Sequence, residues 1–226
     1  MIRIVIVDDH DLMRTGMRLM LSDDPEFSVI AEGESGLDAL RLVRQHRPDV
    51  LLLDLNMPGT LSGFEALERV KAAAPETRVI IVSMHTELPV PRKMLDAGAW
   101  GYLSKNCSAA ELQSGIRKVV QGRRYVSPDI AQLLALASGD EGRESPFLNL
   151  SPREIEVTLA LTHGTKAHLL AERLNVSPKT IATYKSRLMS KLGVGNEAEL
   201  SRLAIAWGLV PEAVVPSKLK ITKNES

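Results

Sequence analysis

Ile4-Val5-Ile6-Val7-Asp8-Asp9 and Val50-Leu51-Leu52-Leu53-Asp54 are two short apolar, strand-like runs, each closed by acid. Carboxylates that end two neighbouring parallel strands meet in one small pocket, where open α/β sheets place their ligand sites. After Asp54 the chain continues Leu55-Asn56-Met57-Pro58-Gly59. Three carboxylates and a carbonyl oxygen form a hard donor set suited to Mg²⁺, and a metal-neutralised carboxylate can accept a phosphoryl group.

The same alternation extends outward from these two runs. Strand-like segments at 3–7, 27–31, 50–54, 78–83 and 100–103 are separated by helical patterns. Leu12-Gly16-Leu19-Met20, Leu37-Leu40-Val43 and Ala66-Val70-Ala73 carry the helical spacing. A last helix over 109–121 has Leu112, Ile116 and Val119 on one face and Ser108 as its N-cap. Five strands and five helices over residues 1–122 predict a doubly wound, flavodoxin-like α/β domain with helices on both faces. Pro89 and Pro91 predict a late start for the helix after Ser83.

Residues 123–146 read as a linker: one possible helix over 128–137, then an acidic Ser/Gly/Pro-rich stretch. From there no strand pattern returns. Ser151-Pro152-Arg153-Glu154 is a capping box, and helices are expected near 166–174, 178–192 and 196–207. This gives a small all-α domain over 147–211 and a disordered tail over 212–226.

Formal net charge is zero, but Lys and Arg outnumber Asp and Glu by 8 to 5 over 150–210, and 176–192 holds four cations and no acid. A neutral total therefore conceals a basic segment in the last third. One cysteine, Cys107, implies no intramolecular disulfide. With no leader and no apolar run of membrane-spanning length, the chain is expected to be cytoplasmic, with no membrane contact.

Taken singly, these residues have bland readings. Paired aspartates after a strand cap helices, Asp54 alone would be structural, and Tyr102 alone would be a core aromatic. An aspartyl nucleophile also opens haloacid-dehalogenase phosphatases, but their general acid two residues on is here Asn56. Gly33-Glu34-Ser35-Gly36 fits no phosphate-binding glycine loop. What the positions resemble jointly is the receiver domain of two-component response regulators. The resemblance rests on Asp8-Asp9, Asp54, Asn56-Met57-Pro58-Gly59, Ser83 and Tyr102-Leu103-Ser104-Lys105, and covers 1–122. It implies Asp54 as phosphoacceptor. Asp9, Asp54 and the Asn56 carbonyl would hold Mg²⁺, with Asp8 acting through water. Lys105 and Ser83 would contact the phosphoryl oxygens, and Tyr102 would swing inward as Ser83 moves. The only activity implied is the receiver's own phosphorylation and dephosphorylation.

The all-α segment resembles LuxR/NarL-type helix-turn-helix domains through Leu150-Ser151-Pro152-Arg153-Glu154, Ala171-Glu172-Arg173-Leu174, Val176-Ser177, Lys179-Thr180-Ile181 and Lys191-Leu192-Gly193. Helix 178–192 would then enter the DNA major groove. Helical spacing groups Ala182, Thr183 and Ser186 as base-facing, flanked by Lys179, Thr180, Tyr184, Lys185 and Arg187 as phosphate contacts. Ala167-His168-Leu169-Leu170 departs from the Asn-Lys-Glu-Ile common in that family, and His168 reads as a surface residue. Over most of its length the chain is similar to the GacA/UvrY branch, through segments such as Val7-Asp8-Asp9-His10-Asp11-Leu12 and Arg14-Thr15-Gly16. That resemblance implies a sensor histidine kinase as phosphodonor, double-stranded DNA as target and a homodimer as the acting form. The alternative is an interaction module that no longer accepts phosphate.

Overall fold

The structure, a computed structural model, describes residues 1–57, 61–139, 145–174, 176–207 and 209–210. Pro58, Gly59, Asn175 and the expected 212–226 tail lie outside the described residues. The chain divides into two compact units, Met1–Gly142 and Arg143–Ser226.

In the first unit, strands β1 (Ile2–Val7), β2 (Phe27–Gly33), β3 (Val50–Leu53), β4 (Arg78–Ser83), β5 (Gly101–Ser104) and β6 (Tyr125–Val126) form one sheet in the order β2-β1-β3-β4-β5-β6. All pairings are parallel. Between the strands run α1 (Asp11–Ser22), α2 (Gly36–His46), α3 (Gly63–Ala73), α4 (Val90–Asp96) and α5 (Ala109–Val120). A parallel sheet is covered on both faces, so its central strands are apolar throughout rather than alternating; every residue of Val50–Leu53 is buried. Ile4, Ile6, Leu52, Ile80 and Leu103 pack with Met17 and Leu21 of α1 and with Leu112, Ile116 and Val119 of α5.

The order reverses at β1, which has β2 on one side and β3 on the other. Register there pairs Val7 with Leu53, and the Asp54 N–H donates to the Val7 carbonyl at 2.9 Å. Asp8 and Asp54 therefore leave the sheet side by side. Gly63 opens α3 against this exit: a Cβ on it would stand 2.1 Å from the Asp54 carbonyl oxygen. Only glycine permits that approach.

One expectation holds and one changes. α4 starts late, as its prolines predict, and has only seven residues. Residues 123–127, expected as linker, instead extend the sheet. Gly122 (φ +79°) turns the chain out of α5, and Tyr125 and Val126 then pair with Gly101 and Tyr102. A two-residue strand carries no periodicity of its own, which is why the sixth strand escaped the sequence pattern. α6 (Pro128–Gly139) follows from Ser127.

In the second unit, a 3₁₀ turn (Pro146–Asn149) precedes α7 (Pro152–Thr162), α8 (Ala167–Arg173), α9 (Pro178–Leu192) and α10 (Glu197–Ala206). The capping box at Ser151 and Glu154 is formed in both directions. Ser177 caps α9 by accepting from the Thr180 N–H, and Gly193 (φ +66°) ends it in the left-handed conformation. Ile181 and Leu188 of α9, fully buried, anchor it to the other helices. Truncating such a leucine costs about 2–5 kcal/mol.

Candidate functional site

The chemistry in the first unit gathers at the C-terminal ends of β1, β3, β4 and β5. Asp8 and Asp54 are buried, Asp9 half-buried. One potential ligand atom from each of Asp8, Asp9, His10 and Asp54 lies within 4.8 Å of the others. Lys105 continues β5, its N–H donating to the Ser83 carbonyl at 3.0 Å, and its Nζ stands 2.7 Å from Asp8 Oδ2 and 3.0 Å from Asp54 Oδ2. These are ion-pair distances without an aligned donor: Asp8 Oδ2, Asp54 Oδ2 and Asp9 Oδ1 have no directed hydrogen bond. Asp54 Oδ1, by contrast, accepts from the Leu55 N–H at 2.7 Å.

Burial pushes the Asp54 carboxyl above its ordinary value; Lys105 pulls the other way, and the neighbouring Asp8 adds to the rise. For Lys105, burial works against the charge, but Asp54 and Asp8 outweigh it and hold the ammonium above its ordinary value. Two like charges about 4 Å apart repel by about 4 kcal/mol at an effective dielectric of ~20. One lysine cannot offset three carboxylates, and the oxygens left without a directed donor are hard ligands. This donor set fits a small divalent cation.

Around the pocket the other expected residues are placed as follows. Ser83, at the end of β4, is fully buried, and its Oγ accepts from the His85 N–H at 3.1 Å. Tyr102, expected to swing inward on a signal, already lies inward: it is fully buried and its hydroxyl donates to the His85 carbonyl at 2.5 Å. Burial drives its phenol far above the ordinary value, the Ser83 hydroxyl opposing only in part. The Asn56 side chain reaches His85 as well, Oδ1 to Nε2 at 3.0 Å. His85 and His10 were not singled out in the sequence; the signal available was their spacing, two residues after Ser83 and directly after Asp8-Asp9. His10 Nδ1 lies 2.8 Å from Asp9 Oδ1 and 3.3 Å from Asp8 Oδ1.

In the second unit, α9 presents Lys179, Ala182, Thr183, Ser186 and Arg187 as exposed residues, with Thr180, Tyr184 and Lys185 half-buried. Ile181 and Leu188 take the opposite, inward face. Some polar groups are engaged. Thr183 Oγ1 donates to the Lys179 carbonyl at 3.0 Å, and the Thr180 hydroxyl shares a hydrogen bond with the capping Ser177 at 2.8 Å. Lys185 pairs with Glu197 of α10 at 2.5 Å. Lys191 pairs with Glu154 at 2.6 Å and so belongs to the α7 cap. Among the described residues Lys179 and Arg187 make no ion pair. His168 is exposed. On α10, Leu200 and Ala204 are buried and Leu203 is half-buried, as is Trp207 just beyond its end. No helix of the described residues is long and apolar enough to cross a membrane.

Comparison with known proteins agrees with both halves. Residues 4–117 match the response regulator receiver domain, and 148–204 match the bacterial regulatory proteins of the luxR family. The chain is 42% identical over 210 residues to the response regulator UvrY of Escherichia coli strain K12, covering 92% of this chain and 96% of UvrY. It is 40% identical over 214 residues to the response regulator GacA of Pseudomonas aeruginosa, covering 94% of this chain and 100% of GacA. Among solved structures it is similar to RcsB from Salmonella enterica serovar Typhimurium bound to the P1flhDC promoter in the presence of phosphomimetic BeF₃⁻. That likeness has a TM-score of 0.68 and 26% identity, over 91% of this chain and 98% of that one. A LuxR-family response regulator from Aurantimonas sp. SI85-9A1 matches with a TM-score of 0.59 and 36% identity, over 62% of this chain and 99% of that one. With a receiver fold whose strand ends converge on an acidic pocket, and a helical unit that exposes the basic face of α9, the chain belongs to the two-component response regulators, joining a receiver to a LuxR-type DNA-binding domain.

Proposed function

We propose that Asp54 is the phosphoacceptor and that phosphorylation raises the affinity of the second unit for DNA. The observation that carries this reading is the convergence of Asp8, Asp9, Asp54 and Lys105 at the ends of β1, β3 and β5. Asp8, Asp9, Asp54 and the carbonyl of Asn56 would hold Mg²⁺, which when bound offsets the repulsion among the carboxylates and between them and an incoming phosphoryl group. Asp54 Oδ2 attacks the phosphorus of the donor; the acyl phosphate forms as the P–O or P–N bond to the leaving group breaks. Lys105 then exchanges its contact with Asp54 for a phosphoryl oxygen, and Ser83 donates to another. The movement of Ser83 and Lys105 is passed to Tyr102, which reports it at the β4–β5 edge.

A sensor histidine kinase is the proposed donor and double-stranded DNA the proposed target, met by a homodimer in the cytoplasm. Residues 1–122 serve as receiver, extended by β6 and α6, and 147–211 as the DNA-binding domain. In α9, Ala182, Thr183 and Ser186 face bases, while Lys179, Thr180, Tyr184, Lys185 and Arg187 face phosphates.

The test is labelling of the purified chain with acetyl phosphate, read by intact mass. Wild type gains one phosphoryl group only with Mg²⁺ present, and Asp54→Asn gains none. Asp9→Ala is defective and recovers in part at high Mg²⁺. Stable label on Asp54→Asn would move the acceptor to another residue and defeat the reading.

A further inference from the structure

Arg14, in the Arg14-Thr15-Gly16 segment of α1, plays no part in the chemistry above, yet its guanidinium is buried, with the side chain only 8% exposed. Burying a charge is costly unless its donors find partners. Nη1 donates to the backbone carbonyl of Asp8 at 2.7 Å. Nη2 reaches Asp11 Oδ1 and Glu34 Oε1, both at 2.9 Å, and Nε lies 3.7 Å from Glu32 Oε2. An aliphatic residue would fill this position at lower desolvation cost, so the fork of donors is what the position uses.

The group that Arg14 holds decides its role. The Asp8-Asp9 turn is fixed at three points: the Asp8 N–H on the Gly33 carbonyl at 3.1 Å, the His10 N–H on Asp8 Oδ1 at 2.9 Å, and Arg14 on the Asp8 carbonyl. Of these, only Arg14 ties the turn at once to α1 and, through Glu32 and Glu34, to the end of β2. We propose that Arg14 is a positioning residue for the divalent-cation site, clamping the β1–α1 turn so that the Asp8 and Asp9 carboxylates stay within ligand distance of Asp54. This rests on the reading of that pocket as a cation site given above. Lysine at this position keeps the charge but has a single ammonium, which cannot serve the carbonyl and the carboxylates of β2 together.

The experiment measures Mn²⁺ binding to the full-length chain by electron paramagnetic resonance of the free ion. Arg14→Lys and Arg14→Gln are compared with wild type, with thermal melting as the control for folding. Loss of an outer partner of a metal site weakens affinity by about 10–100-fold. Both variants are expected to bind Mn²⁺ at least roughly tenfold more weakly. Labelling by acetyl phosphate should need more Mg²⁺ for half-maximal rate while its maximal rate is largely kept. Arg14→Lys decides the matter alone if Arg14→Gln does not fold. Mn²⁺ binding by Arg14→Lys equal to wild type, with Asp9→Ala defective, overturns the role of Arg14 and leaves the site standing. Undiminished binding by Asp9→Ala overturns the site, and with it the clamp.

Discussion

Asp54 follows three buried leucines, with Asp8 beside it and a single lysine shared between the two. Burial is the largest influence on its carboxyl and favours the neutral form. Asp54→Asn should therefore stabilise the receiver at neutral pH in the absence of divalent cations, by on the order of 1 kcal/mol or a few degrees of melting temperature. The pH dependence follows from the upward shift. Below the ordinary carboxylate value of 3.8 Asp54 is neutral folded or unfolded, and the two proteins should melt alike. Stability of the wild type should erode as pH rises from there to the raised folded value, then stay lower. Mg²⁺ should raise the melting temperature of the wild type and close the gap, with little effect on Asp54→Asn. Calorimetry at several pH values, with and without Mg²⁺, reads all of this; equal melting of the two proteins at neutral pH without cation would count against a strained Asp54. Asp8 and Asp54 were legible in the sequence because each closes an apolar run, whereas Lys105 was read through the resemblance to receiver domains. The pairings made by His85 and Arg14 were not, since Asn56 and His85 are 29 residues apart and Arg14 and Glu34 are 20 apart.

The helix α9 was legible almost to the residue, because its signals are local: Ser177 before Pro178 at one end, Gly193 at the other, Ile181 and Leu188 a helical repeat apart. How its cations are occupied was not legible, since that depends on α7 and α10. Lys179 and Arg187 should each contribute one phosphate contact, so either Ala variant should weaken binding to specific and scrambled duplexes alike and lower the salt slope by about one unit. Lys185 must first leave Glu197, an exposed pair worth little, so Lys185→Ala should cost less than Lys179→Ala. Thr183 or Ser186 replacement should change preference among operators by about 1–3 kcal/mol at one base pair and leave the slope alone. Thr183 spends its proton on the Lys179 carbonyl, so towards a base edge its hydroxyl acts as an acceptor. Salt titrations on paired duplexes test the assignment; a changed sequence preference in the lysine and arginine variants alone would mean that a different face of α9 meets the bases.

The coupling proposed between the two units would be a property neither has alone. Ser83 ends β4, Tyr102 lies on β5 and Lys105 directly follows it, and β5 is tied onward: the Ser127 N–H donates to the Tyr102 carbonyl at 3.0 Å, and α6 begins at the next residue. Ser83→Ala and Lys105→Ala should therefore still accept phosphate at Asp54 but lose most of the phosphate-induced gain in DNA affinity. A coupling of this kind is typically worth about 5–150-fold in affinity. Band-shift titrations with and without acetyl phosphate would show it, with label stoichiometry measured on the same samples. A full gain in both variants would exclude Ser83 and Lys105 as the relay.

The C-terminal ends of β1 and β4, the caps at Ser108, Ser151 and Ser177, and the change from alternating strands and helices to helices alone were readable along the chain. Each depends on residues a few positions apart, whose spacing obeys the geometry of one element. The neighbours of those elements needed the folded chain. The reversal at β1 sets Asp8 against Asp54, β5 recruits the two residues of β6, and the buried face of α1 brings Arg14 onto the Asp8 carbonyl. Tyr102 lies inward with its hydroxyl on the carbonyl of His85, 17 residues away, and Lys185 and Lys191 differ from Lys179 because an acid from another helix reaches them. Charge state and burial are properties of a residue's surroundings, and those surroundings come from segments tens of residues away, brought together by packing that no local spacing encodes.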